Sequence, residues 1–109
     1  MQDFKQLVVW QKAHELAIQV YQCTATFPKE ERYGLTSQMR RASVSIGANI
    51  SERCGRDTAK EYLHFLQVAK GSASELETYF LLCHAVGFLS NEDTERLQSL
   101  LNEIQKCYL

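Results

Sequence analysis

The stretch Tyr33-Gly-Leu-Thr-Ser-Gln-Met-Arg-Arg-Ala-Ser-Val-Ser-Ile-Gly-Ala-Asn-Ile-Ser-Glu-Arg-Cys-Gly-Arg56 decides how this chain is read. Within it Leu35, Met39, Ala42, Ile46 and Ile50 recur at steps of three and four, with Ser43 beside them, which marks one apolar face of an α-helix. Arg41, Ser45, Asn49, Glu52 and Arg56 fall on a neighbouring polar stripe. Gly34 and Thr36 suit the loop and the N-cap before this helix, and Gly55 suits its C-terminal stop. A glycine inside a helix costs about 1 kcal/mol relative to alanine, so Gly47 calls for a compensating close approach by another element.

Toward the N-terminus, Val9, Ala13, Leu16, Val20, Cys23 and Phe27 trace a second amphipathic helix over about Val8 to Thr26, and Pro28 ends it. Trp10, Ala17 and Tyr21 widen its apolar arc beyond one buried stripe. Lys29 to Gly34 reads as a polar connection. Toward the C-terminus, Thr58-Ala-Lys-Glu61 is a capping box. It opens a long helix carrying Tyr62, Phe65, Leu66, Ala69, Ala73, Leu76, Phe80 and Cys83 at helical spacing and ending at Gly87. Val68, Tyr79 and Val86 form a surplus apolar flank there as well. Ser90-Asn-Glu-Asp93 is a weaker capping pattern before a helix striped by Leu97, Leu100, Leu101, Ile104 and Tyr108.

Four amphipathic helices with short connections predict an all-α fold, an antiparallel up-down-up-down four-helix bundle, and 109 residues leave room for one domain, residues 1–109. Small residues in two of the helices, Gly47 with Ala48 and Gly71 with Ser72, Ala73 and Ser74, predict that the second and third helices pass closest around Gly47 and Gly71. Exposed apolar flanks on a small domain mark a partner surface. Trp10, Ala17, Tyr21, Val68, Tyr79 and Val86 are therefore the candidate interface of a homo-oligomer.

Composition narrows the function by exclusion. No apolar run approaches the roughly 20 residues that span a bilayer, and Met1-Gln-Asp-Phe-Lys lacks the form of a signal peptide, so a cytoplasmic protein without a membrane role is expected. Cys23, Cys54, Cys83 and Cys107 lie far apart with no C-x-x-C pair, which argues for free thiols and against a metal site. His14, His64 and His84 belong to different helices with no H-E-x-x-H pattern, and no serine sits in a nucleophile elbow. No small-molecule substrate is evident, and neither an enzyme nor a cofactor is expected.

The net charge of -1 conceals polarity: Thr36 to Arg56 holds four arginines against one glutamate, whereas Asn91 to Leu109 holds four carboxylates against two cations. Arginine forks bind phosphate bidentately. Arg40, Arg41, Arg53, Arg56 and Lys60 are therefore the candidate nucleic-acid-binding residues, with protein–protein scaffolding as the alternative role.

Trp10-Gln-Lys-Ala, Phe27-Pro-x-x-Glu, Tyr33-Gly-Leu, Ser37-Gln-Met-Arg-Arg-Ala, Ser45-Ile-x-x-Asn-Ile, Gly55-Arg, Phe65-Leu-x-x-Ala-x-Gly-Ser and Glu75-Leu-Glu-Thr, in this order, resemble the 23S ribosomal RNA intervening-sequence proteins. One departure stands at Arg53, where family members usually carry a glycine. The resemblance implies a bacterial, antiparallel bundle assembled into a ring, a homopentamer. It also implies distant kinship with the accessory protein of diversity-generating retroelements, a pentameric bundle that binds nucleic acid and a reverse transcriptase. The family name records genes lying within intervening sequences of ribosomal RNA genes.

Overall fold

A computed structural model describes residues 3–55 and 58–107, so that Arg56 and Tyr108, named above, lie outside the described residues. Four helices account for most of these: α1 (Val8–Thr24), α2 (Leu35–Cys54), α3 (Ala59–Ala85) and α4 (Asn91–Lys106). Short 3-10 turns at Phe4–Gln6 and Lys29–Glu31 precede α1 and α2, and there is no strand among the described residues.

Local chemistry places most of the helix ends. The Thr58 hydroxyl accepts the Glu61 amide at 3.1 Å, and the Ser90 hydroxyl accepts the Asp93 amide at 3.0 Å, as the two capping patterns require. Glu92 and Asp93 add negative charge to the first turn of α4, where the helix dipole favours it. Helix α3 closes through Gly87, whose φ of +86° lies in the left-handed region, while the Phe88 amide returns to the Cys83 carbonyl at 2.8 Å. The start of α2 differs from expectation. Gly34 occupies the cap position and offers no side chain, and Thr36 lies inside the first turn, buried.

The core is built from the stripes read above: Val9, Ala13, Leu16 and Val20 of α1, Met39, Ala42, Ile46 and Ile50 of α2, Ala73, Leu76, Phe80 and Cys83 of α3, and Leu97, Leu101 and Ile104 of α4. Phe27 and Phe88 close one end with ring centroids 5.5 Å apart. Each helix touches its sequence neighbours, α1 also touches α4, and the most extensive contact joins α2 to α3.

Two expectations need correction. Gly47 faces α1, not α3: a Cβ built on it would lie 3.5 Å from Trp10 Nε1 and 3.7 Å from Ala13 Cβ. Gly71 faces open space, with nothing within 4 Å of the same construction. The two helices do meet near these positions, but through serines: the Ser72 hydroxyl donates to the Ser45 hydroxyl at 2.9 Å, and within α2 Asn49 Nδ2 donates to the Ser45 carbonyl at 2.8 Å. The second correction concerns the start of α3, where Tyr62 is exposed and Phe65 and Leu66 are only half-buried, so the core begins at Ala69. With 27 residues, α3 is about 40 Å long, whereas the 16 residues of α4 reach about 24 Å. Nothing from α4 is long enough to cover the first turns of α3.

Candidate interaction surfaces

The surplus apolar residues separate into distinct places. Trp10, Ala17, Ile18 and Tyr21 of α1 meet Val44, Gly47 and Ala48 of α2 around an open groove of about 590 Å³. Its shape follows from sequence: the small residues of α2 leave a trough, and the Trp10 indole lies across it, stacked on His14 at 4.8 Å and edge-on to Phe4 at 5.2 Å. Tyr21 stays 45% exposed, and the missed neighbours Ile18 and Val44 are exposed too.

Tyr79 and Val86 lie on another side, with Leu82, against Leu35, Gln38 and Phe88 around a groove of about 320 Å³. Val86 is 52% exposed. Burial, with the neighbouring Glu75 carboxylate, holds the Tyr79 phenol above its ordinary range. Val68 joins neither groove: it sits near the uncovered start of α3, 37% exposed. Exposed Leu63, Leu81 and Leu82 were missed because they lie off the stripes.

The candidate cations differ in their engagements. Arg40 reaches back to the end of α1, donating from Nε to the Thr24 hydroxyl at 2.9 Å and from Nη2 to the Tyr21 carbonyl at 3.3 Å. Its guanidinium lies 4.5 Å from the Tyr21 ring centroid. Arg41, about 100° further round the helix, is exposed and has no partner among the described residues. Arg53 lies 4.7 Å above the Tyr62 ring with its buried Nε unpaired, and Lys60 is exposed in the first turn of α3. The structure therefore does not gather these residues into one patch.

A different set of cations is gathered. Lys29, Arg32 and Arg40 line an open cleft of about 500 Å³ together with Thr24, Tyr33 and Thr36, between the end of α1 and the start of α2. Sequence reading passed over Lys29 and Arg32 because Glu30 and Glu31 cancel them in any local charge sum. The alternation of cations with Tyr33 was the available signal.

The remaining polar groups serve the scaffold. Arg96 pairs with Asp93 at 2.9 Å and donates to Gln19 Oε1 at 2.9 Å and to the Cys23 sulfur at 3.5 Å, clipping α4 to α1. Burial, with Asp93, pushes the Cys23 thiol up despite Arg96. His84 bonds Asn91, and His64 lies edge-on to Phe65. All four cysteines are free. Among the described residues no cluster of histidine, cysteine or carboxylates could hold a metal, and no helix is long and apolar enough to cross a membrane.

Comparison with known proteins places this geometry. The model of the family described as 23S rRNA-intervening sequence protein matches residues 5–108. A crystal structure of a protein of unknown function from the S23 ribosomal protein family of Bacteroides thetaiotaomicron is similar to this chain, with a TM-score of 0.84 at 24% identity, over 93% of this chain and 94% of that one. At that identity the likeness speaks for the fold. No curated protein matches the chain.

Proposed function

The chain belongs to the 23S rRNA-intervening sequence protein family, and from that premise we propose that it is a non-enzymatic, cytoplasmic bundle that self-associates into a ring and contacts RNA. The observation that carries the assembly is the presence of two apolar grooves on different sides, one between α1 and α2 and one between α3 and the start of α2. A patch that pairs with a different patch makes a head-to-tail contact, which closes into a ring when the rotation permits. The antiparallel up-down-up-down course suits this assembly and is supported by the pairings of Arg40 with Thr24, of Gly47 with Ala13, of Ser45 with Ser72 and of Lys12 with Glu103. Five copies is the ring size that the family resemblance implies.

Light scattering tests the assembly. The wild-type chain is expected at five chain masses at micromolar concentration, and Tyr21→Glu or Val86→Glu, each spoiling one groove, at one chain mass. Mixed together, the two variants each keep one sound face and form a heterodimer and nothing larger. A monomeric wild type sinks the ring. Variants that stay monomeric on mixing sink the head-to-tail pairing.

The RNA half is supported by the cleft near the start of α2 that Lys29, Arg32 and Arg40 line. It predicts binding that weakens steeply with salt as phosphate counterions are released. Salt-independent absence of binding would leave the scaffold reading, in which a specific protein co-purifies through the ring surface.

A further inference from the structure

We propose that the cleft between the end of α1 and the start of α2 takes one nucleotide of single-stranded RNA, its phosphate held by Lys29, Arg32, Arg40 and Thr36 and its base laid on Tyr33. This rests on the RNA reading above and gives it a site other than Arg41, Arg53 and Lys60.

Several observations converge on the cleft. Lys29 and Arg32 have no carboxylate partner among the described residues, and Arg32 is held only by its position 5.5 Å from the Tyr33 ring centroid. Neither Glu30 nor Glu31 lines the cleft: Glu31 lines the groove with Leu35 and Gln38, and Glu30 is exposed. Arg40 spends Nε and one Nη on the end of α1, which fixes the guanidinium while leaving further N–H donors of its fork uncommitted.

The α2 N-terminus beside these cations has no side-chain cap, and the Glu31 carboxylate lies near it on the side of the neighbouring groove, 3.4 Å from a Cβ built on Gly34. Thr36 lines the cleft, and its hydroxyl has no partner among the described residues, so it is free to donate to a phosphate oxygen.

Tyr33 decides the kind of phosphate ligand. At 86% exposed it is the most exposed of the large hydrophobic side chains described, and it stands at the rim of a cationic cleft instead of in an apolar patch. Arg32 lies over one face of this exposed ring, and the other face is open to stack an unpaired base, whereas bases in a duplex keep their faces covered.

The test is fluorescence anisotropy of the full chain with a labelled oligouridylate and with a labelled RNA duplex of equal length, at low salt. The single strand should bind more tightly than the duplex. Tyr33→Ala and Arg32→Ala, both at exposed positions that leave the fold intact, should each weaken it about tenfold, the range of one lost stacking or charge-assisted contact. Arg41→Ala and Lys60→Ala should change it less than twofold. In the same solution uridine monophosphate should compete and should shift the Leu35, Thr36 and Ser37 amide resonances. Binding that survives Tyr33→Ala and Arg32→Ala but falls with Arg41→Ala or Lys60→Ala overturns the cleft and keeps the RNA reading. Equal affinity for the duplex overturns the base contact, and no RNA binding at low salt overturns both readings.

Discussion

Arg40 and Arg41 show how much one helical step changes a residue's duty. Arg40 gives two hydrogen bonds to the end of α1 and covers the Tyr21 ring, so it satisfies a carbonyl that the helix terminus leaves open. Arg40→Ala is expected to cost about 1–2 kcal/mol in urea unfolding, from the lost bonds and cation–π contact. Arg41→Ala should stay within about 0.5 kcal/mol, the usual range for an exposed side chain with no partner.

Cys83 supplies the pH dependence at this scale. Its thiol packs 3.5 Å from the Met39 sulfur in the core, and burial, with Glu31 adding to it, pushes it from 9.0 up to about 11. The folded chain thus holds this proton more tightly than the unfolded chain does. The contribution is complete below pH 9 and is lost as pH rises from 9 toward 11. Denaturation midpoints should fall across that window in the wild type and fall less steeply in Cys83→Ala.

At the scale of the element, capping and spacing explain most of what forms. The Thr58 and Ser90 caps depend on residues three apart, and the Gly87 turn on a residue free to adopt positive φ, so each was legible from a few consecutive letters. The glycines were misread because composition does not say which neighbour a helix face will meet. Gly47 accommodates Trp10 from α1, whereas Gly71 carries a helix-propensity cost with no packing return inside one chain. Gly71→Ala should therefore raise stability by about 0.5–1 kcal/mol, measured by urea unfolding of the monomeric Val86→Glu variant, since the added methyl meets nothing. A loss of stability there would show that the exposed face of α3 is more constrained than it looks.

At the scale of the whole molecule, the helices differ in length and the bundle is uneven. It measures 44 × 25 × 19 Å, with the long dimension close to the length of α3. Residues Ala59 to Val68 contribute nothing fully buried, and Tyr62, Leu63 and Val68 are left with exposed apolar surface. In the monomeric Val86→Glu variant, amides of Tyr62 to Val68 should exchange with solvent faster than those of Ala73 to Cys83, because local opening there uncovers little core. Equal protection along α3 would contradict this picture.

Helix positions, most of the core stripe of each helix and two of the caps were determined by the sequence itself, since each depends on residues one to four positions apart on one helix. Met39, Ile46, Leu76 and Leu101 are buried where periodicity put them. The tertiary structure decided what depends on how helices fold back on each other: that Tyr62 lies outside the core, that Trp10 and Tyr21 share a groove with Val44, and that Arg40 parts from Arg41 to join Lys29, Arg32 and Thr36. Those groupings draw on residues from both sides of the α1–α2 connection, and no spacing within a single helix encodes the distance between two of them.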